Sequence, residues 1–198
     1  YKKWPKGKDE RKLIEKIWRL LLHTNDSNLR DKLITYIDNN NMTLSKSVLN
    51  IYQNFNSKET EIISNKFFRK WSKNSIVLDS WFAFHASLEI DTYIENLENL
   101  FKHKCFDDKS PNTLRSILNS FVSNNRFFHD IDGKGYNYIA KKVIEFDKIN
   151  PIIISRFLKL FSRWDQYVEP YKTNMLNAIR FIDSHDLSIN SREVIDLI

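Results

Sequence analysis

Glycine and proline are scarce in this chain, with three glycines and four prolines among 198 residues. A β-sandwich or β-barrel of short strands needs many turn residues, so this composition argues against both. Hydrophobic residues make up 41% of the chain and aromatic residues 14%, which is enough for a packed core and argues against disorder. The length fits one generous domain or one lobe of a larger protein.

Cysteine occurs once, as Cys105, which excludes an internal disulfide framework. No second cysteine or catalytic histidine is placed beside it, so we interpret it as a structural thiol in a reducing compartment. Long apolar runs are also missing, because no window approaches the roughly 18 residues that span a membrane. The chain shows no signal pattern and begins with Tyr1, so we expect a piece of a longer, cytoplasmic polypeptide.

The excess of positive charge, +6 with a pI near 9.2, gives no strong argument for an anionic partner. Lysine, asparagine and isoleucine are used heavily along the whole chain, as in proteins with AT-rich coding. Such a bias raises the pI without selection for nucleic acid. We therefore predict neither a nucleic-acid partner nor a membrane partner.

Catalytic signatures are missing too. No histidine has the H-E-x-x-H spacing, and C-x-x-C, G-x-S-x-G, Walker A and G-x-G-x-x-G patterns do not occur. The run Gly133-Lys134-Gly135 superficially resembles a phosphate loop but lacks the flanking strand and the further glycine. We predict no catalytic residue, no metal ligand and no cofactor in this chain.

The apolar residues recur with the spacing of amphipathic helices. Stripes of this kind begin at Leu13, Leu29, Leu44, Ile62, Val77, Tyr93, Leu114, Tyr136, Ile153 and Met175, and a short helix is expected near Val194. Asn56, with Glu59 three residues on, predicts a helix N-cap, and Ser110-Pro111 and Asn150-Pro151 predict capped helix starts.

Ten or eleven short helices with short connections predict an all-α fold. The expected architecture is an α-solenoid of stacked antiparallel helix pairs, an armadillo/HEAT-like superhelix. Residues 1–10 are interpreted as a connector or arm and residues 11–198 as a single helical-repeat domain.

Two of the three glycines stand together in the run D-G-K-G-Y, at Gly133 and Gly135. Just before it, His129, Asp130 and Asp132 form a possible metal or acid/base cluster. The alternative is structural, since such groups commonly bind loop backbone and cap the next helix. We favour the structural interpretation.

Arg115 and Arg156 each lie one turn inside a helix that opens with proline, on segments that are otherwise apolar. They are either surface arginines with snorkelling or salt-bridged side chains, or a pair of cations that face one cavity. In the second case they would hold a carboxylate or a peptide oxygen by directed hydrogen bonds.

The segment 110–164 resembles the C-terminal domain of bacterial-type aminopeptidase N (alanyl aminopeptidase), a gluzincin zinc metallopeptidase. That family has the patterns N-P-N-x-x-R-S-L-I, N-x-x-x-F-H-x-x-D-G-x-G-Y and N-P-x-x-A-x-R-L. The matching positions here are Ser110-Pro111-Asn112, Arg115-Ser116, Phe128-His129, Asp132-Gly133, Gly135-Tyr136, Asn150-Pro151 and Arg156. Upstream, Asn41-Met42-Thr43 and the run from Trp71 to Trp81 also match, so the resemblance covers about residues 11–198. Departures include Ser110 for the usual Asn.

The resemblance implies a C-terminal lobe that closes over a catalytic domain and restricts the substrates to peptides. In the family, the position after N-P, here Ile152, lines the channel beyond the scissile bond, and the positions of Arg115 and Arg156 face the chamber. The D-G-K-G-Y turn, with His129, Asp132, Gly133, Gly135 and Tyr136, is implied to shape a loop near that chamber. Zinc and its ligands are implied for the N-terminal catalytic domain, which is absent from these residues. The implied partners are that domain and peptide substrates.

A second interpretation from a different class stays open. Helical-repeat solenoids also occur as free-standing scaffolds that bind a protein or peptide in a concave face. A lobe of a larger enzyme should expose an apolar patch where its catalytic domain docks.

Overall fold

The computed structural model describes residues 4–24, 27–55 and 57–198, which are helical without any strand. Its α-helices are α1 (Lys8–Leu22), α2 (Ser27–Ile37), α3 (Met42–Ile51), α4 (Lys58–Trp71), α5 (Ser75–Ala86), α6 (Tyr93–Phe101), α7 (Pro111–Val122), α8 (Asn125–Phe128), α9 (Lys134–Phe146), α10 (Pro151–Leu158), α11 (Tyr171–Asp183) and α12 (Ile189–Ile195). Three 3₁₀ segments, Tyr52–Asn54, Lys159–Phe161 and Trp164–Gln166, complete the set.

The prediction of an all-α fold is confirmed. The number of helices was underestimated, because the described ranges contain twelve α-helices and ten or eleven were expected. Helix α8 was missed because its four residues are too short to show a periodic stripe. Helix α1 begins at Lys8, so the last residues of the predicted arm are helical. Trp4 in that arm stacks on Trp18 with 5.5 Å between ring centroids.

The predicted helix starts are found, but two of the caps differ. Ser110 caps α7 by accepting from the Thr113 amide at 3.4 Å. Asn150 precedes α10 without a side-chain capping bond, and its Nδ2 donates to the Asp108 carbonyl. The predicted cap Asn56 lies outside the described residues, and the side chain of Ser57 caps α4.

The chain divides into two compact units, Tyr1–Tyr93 and Ile94–Ile198. In each unit, helices pack against the next helix but one as well as against the next. The next-but-one pairs are α1–α3, α2–α4 and α3–α5 in the first unit, and α9–α11 and α10–α12 in the second. This is the packing of stacked helix pairs, and it agrees with the predicted α-solenoid.

The first unit buries its core around α3 and α4, with Val48, Leu49, Ile51, Ile63 and Phe67 fully enclosed. The stripe predicted for α1, from Leu13 to Leu21, is only partly buried. Its members Ile14 and Trp18 are buried, together with Leu22, which was not in it. Leu13, Ile17 and Leu21, which were predicted to be in that stripe, are exposed together with Leu20. Helix α1 therefore has a second apolar face that its own unit leaves uncovered.

The second unit has a polar anchor between α9 and α12. Asp147, at the end of α9, is 1% exposed and accepts hydrogen bonds from the hydroxyls of Ser188 and Ser191 and from the Ser188 amide. Charge-assisted bonds of this kind stabilise the N-terminus of a helix.

Across the described ranges, no helix is both long and apolar enough to cross a membrane.

Helix α9 begins in close contact with the backbone of α8. A Cβ placed on Gly135 would lie 2.4 Å from the carbonyl oxygens of both Phe127 and Phe128. Those oxygens belong to backbone in α8 and cannot swing away as a side chain would. Gly135 therefore permits α9 to start directly against α8.

We predict that Gly135→Ala destabilises the chain by about 2 kcal/mol or more, because backbone must move to relieve the clash. The gain in helix propensity on replacing glycine by alanine, about 1 kcal/mol, is too small to offset this. Chemical denaturation measures the difference. Gly7→Ala is the control, since its Cβ would meet only the Glu10 side chain at 3.3 Å, and a similar loss there would contradict the explanation.

Candidate functional site

The D-G-K-G-Y turn is held against α11. Gly133 is left-handed, with φ of +72°, and a Cβ there would lie 2.8 Å from the Asn174 side chain. Asn174 Nδ2 donates to the Ile131 carbonyl at 2.9 Å, and Asp130 Oδ1 accepts from the Asp132 amide at 2.8 Å. The turn is thus fixed by one contact to α11 and one local Asx turn.

His129 and Tyr136 form a hydrogen-bonded pair across this turn, with 2.6 Å between His129 Nδ1 and the Tyr136 hydroxyl. Tyr136 is completely buried, and Tyr167 stacks on His129 with 5.3 Å between ring centroids. Burial lowers the pKa of His129. Burial, followed by the neighbouring Tyr167 and Tyr171, raises the pKa of Tyr136 to about 12. The pair is therefore a neutral imidazole against a neutral phenol at physiological pH.

The expected backbone-binding and capping roles are wrong for two residues of this loop. His129 binds the Tyr136 hydroxyl, although backbone was its expected partner. Asp132 pairs with Lys134 at 2.9 Å on the surface, and no side chain caps α9 at Gly133.

No group of three or more His, Cys, Asp or Glu side chains that could hold a metal ion is found in the part of the chain that the structure describes.

Arg115 and Arg156 line one cavity of about 160 Å³ in the second unit. Helix α7 contributes Arg115 and Asn119, which share a face at spacing i, i+4. Helix α10 and the 3₁₀ segment after it complete the lining with Ile153, Arg156, Phe157 and Leu160. The structure thus brings together at one cavity the two arginines that the sequence places 41 positions apart.

The polar part of this cavity is cationic. Arg115 Nη2 donates to Asn112 Oδ1 at 2.8 Å, which fixes the guanidinium at the cavity wall. Among the described residues, the Arg156 guanidinium has no hydrogen-bond or ion-pair partner, and no carboxylate lines the cavity. Two guanidinium groups beside an apolar floor can hold a carboxylate or a carbonyl oxygen.

Ile152 lies beside this cavity without lining it. Its side chain is 60% exposed, and it shares a face of α10 with Arg156 at spacing i, i+4. The cavity-lining position is the next residue, Ile153. Sequence reasoning missed Asn119, Ile153, Phe157 and Leu160 as lining residues. The helical spacing of three or four positions from an arginine is a usable signal for Asn119, Ile153 and Leu160.

A family described as "Domain of unknown function (DUF3458_C) ARM repeats" matches residues 1–198 of the chain. Among curated proteins, aminopeptidase N of Haemophilus influenzae is 28% identical over 156 residues, which are 77% of this chain and 18% of that protein. Aminopeptidase N of Escherichia coli is 27% identical over 157 residues, which are 78% of this chain and 18% of that protein.

A solved structure is similar as well. The crystal structure of Legionella pneumophila aminopeptidase A in complex with aspartic acid matches with a TM-score of 0.84 and 26% identity, covering 94% of this chain and 22% of that chain. The chain therefore spans about a fifth of the length of the proteins it matches.

We predict that the His129–Tyr136 pair makes stability depend on pH. Burial holds the folded pKa of His129 below its ordinary value of 6.5. The unfolded chain then binds more protons than the folded one as the pH falls below about 6.5, and stability is lost until the pH passes the folded pKa. Thermal melts at pH 7.5 and 5 should show that the melting temperature falls less for His129→Asn than for the wild type when the pH is lowered.

The control for this measurement is His185→Asn, which removes a histidine from a different part of the same unit. Carboxylates that titrate over the same range are common to all three proteins, so the difference between them isolates the imidazole. An identical fall in melting temperature between pH 7.5 and 5 for the wild type and His129→Asn would contradict the prediction.

Proposed function

We propose that this chain, which belongs to the DUF3458_C family of ARM-repeat domains, is the C-terminal lobe of a zinc-dependent aminopeptidase. The chain is homologous to the C-terminal domain of aminopeptidase N. In the proposed role it caps the catalytic chamber, restricts access to peptides and contacts the substrate beyond the scissile bond. One observation carries the proposal. About three quarters of this chain matches aminopeptidase N, and the matched part is about a fifth of the length of that enzyme.

The proposal assigns the zinc ion to a separate catalytic domain. This chain has no H-E-x-x-H sequence, and the described residues offer no cluster of three metal ligands. The described residues therefore fit no zinc site of their own. In the catalytic domain, bound zinc would activate the water that cleaves the peptide.

The cavity at Arg115 and Arg156 supports a contact with the substrate. Both side chains are cations beside the apolar Ile153 and Phe157. The C-terminal carboxylate of a short peptide would find two guanidinium donors there, and its last side chain an apolar surface. Exposed Ile152, on the same face of α10 as Arg156, would favour apolar side chains after the scissile bond by roughly 1–2 kcal/mol of burial.

The uncovered face of α1 supports docking to a catalytic domain. Leu13, Ile17, Leu20 and Leu21 lie at i, i+4, i+7 and i+8, so they form one stripe. Leu13 is 58% exposed and Leu20 is 70% exposed. Isolated exposed apolar residues need no explanation, whereas a contiguous stripe is typical of an interface. We assign this stripe to the catalytic domain of the same enzyme.

The decisive experiment is an activity complementation. We expect the chain alone to leave alanine and leucine anilides intact and to bind and activate a separately produced catalytic domain from the same source. Leu13→Glu with Leu20→Glu should abolish binding, because it places two charges in the proposed interface. Leu197→Glu, at a site 88% exposed in the second unit, is the matched control.

This experiment also separates the alternative function, a free-standing helical scaffold. Failure of the two parts to bind, with the chain itself folded, would reject the aminopeptidase lobe in favour of that scaffold. Equal binding by the Leu13/Leu20 variant would reject the α1 stripe as the interface but leave the lobe assignment standing.

We predict that Arg115→Gln and Arg156→Gln each raise KM for the tripeptide Ala-Ala-Ala about tenfold or more in the complemented enzyme. One charge-assisted hydrogen bond contributes about 1.5–3 kcal/mol, and 1.4 kcal/mol corresponds to a factor of ten. Alanine anilide, which has no carboxylate, should be little affected. Steady-state kinetics on both substrates checks this.

Arg163→Gln is the control, since Arg163 is an exposed arginine that does not line the cavity. The C-terminally amidated tripeptide tells a carboxylate contact from a carbonyl contact, because only the first is lost on amidation. Equal losses for the tripeptide and the anilide would mean that the arginines act through structure.

A further inference from the structure

A second, larger cavity of about 600 Å³ lies in the second unit and has the opposite charge. Its lining consists of Phe101, Phe106, Asp107, Asp108, Glu145, Phe146 and Ile149. Three of these side chains are aromatic, three are acidic, and none is Lys, Arg or His. The site differs from the arginine cavity in every polar residue, and it does not depend on the function proposed above.

The three phenylalanines form one cluster. Phe101 lies 5.1 Å from Phe106 and 5.4 Å from Phe146 between ring centroids, and Phe106 lies 6.0 Å from Phe146. Phe106 meets both partners edge to face. Aromatic faces carry negative electrostatic potential and attract cations. The acidic side chains of the lining add to the same field.

The ammonium group of the chain's own Lys142 is already held by this combination of phenylalanine rings and carboxylates. Lys142 Nζ lies 4.4 Å from the ring centroid of Phe101 and 5.9 Å from that of Phe146. It forms ion pairs of 2.8 Å with Glu98 and Glu145, and its side chain is only 5% exposed. Burial alone would raise the pKa of Glu98, but the hydrogen bond and charge of Lys142 outweigh it, and the net pKa is lowered.

The cavity shares three of these groups with the Lys142 site, namely Phe101, Phe146 and Glu145. Glu145 Oε2 accepts a hydrogen bond from Lys142 Nζ, yet the Glu145 side chain remains half exposed. Asp107 and Asp108 are exposed and supply two more carboxylates. A second cation entering the cavity would thus meet the chemistry that already holds Lys142.

We propose that this cavity binds the cationic side chain of a basic peptide, a lysine ammonium or an arginine guanidinium, between its phenylalanine rings and the carboxylates of Asp107, Asp108 and Glu145. A metal ion fits less well, because within the described ranges no three such carboxylates converge as metal ligands. A purely apolar ligand would make no use of the exposed carboxylates of Asp107 and Asp108. An alkyl stem that ends in a cation satisfies both parts of the lining.

The test is a titration of the chain, followed by NMR chemical shifts, with the methylamides of Nα-acetyl-lysine and Nα-acetyl-arginine. The methylamide of Nα-acetyl-norleucine has a similar stem without the charge. We expect the cationic compounds to bind about fivefold or more tightly than norleucine, and to bind more weakly as salt rises to about 0.3 M. Equal binding of norleucine would overturn the proposal, as would tighter binding of calcium or of free cadaverine.

Variants locate the binding. Asp107→Asn with Asp108→Asn removes two charges and keeps the Asp107 side-chain oxygen that accepts from the Lys109 amide at 3.0 Å. We expect at least about threefold weaker binding. Asp165→Asn with Glu193→Gln is the charge-matched control, at two exposed positions away from the lining.

Phe106→Leu removes a ring face and keeps apolar volume, so it should weaken the lysine compound more than the norleucine compound. If the Asp107/Asp108 variant binds like the control variant while remaining folded, the cavity is not the binding site and the proposal fails.

Discussion

The close approach of α9 to α8 at Gly135 is the constraint on which the site region depends. Two carbonyl oxygens of α8 occupy the space where any side chain at Gly135 would begin. With α9 started there, Tyr136 becomes fully buried, and its hydroxyl meets His129. Further along the helix, the same placement brings Lys142 into its ion pairs and Asp147 to the N-terminus of α12. One residue without a Cβ therefore bears on the position of three polar side chains, those of Tyr136, Lys142 and Asp147.

The second unit separates its charges into two cavities. Arginines with a nearby apolar floor line one, and carboxylates with phenylalanines line the other. A net charge of +6 for the whole chain conceals this separation, because charges of opposite sign cancel in the sum. Recognition depends on the local field, where a cluster of like charges selects a ligand of the opposite sign.

Much of the fold could be predicted from local sequence signals, and the predictions that were wrong have physical reasons. Proline at the first helical position located α7 and α10 correctly, since proline fixes the backbone torsion and needs no amide partner there. Asn150 makes no capping bond, and its Nδ2 instead donates to a carbonyl 42 residues away, at Asp108, a contact that local sequence does not encode. The stripe predicted for α1 mixed buried and exposed residues, because leucine and isoleucine stand on both faces of that helix. Periodicity cannot tell a core face from a docking face when both are apolar.

The sequence by itself determined the longer helices, the class of fold and the family, because capping, periodicity and ordered motifs are local properties of the chain. It also singled out Arg115 and Arg156, since cations are conspicuous on apolar segments. Only the tertiary structure decided that these two arginines share a cavity and that Phe101, Phe106 and Phe146 gather beside three carboxylates. Contacts between residues dozens of positions apart depend on how helices stack, and no local pattern encodes that geometry.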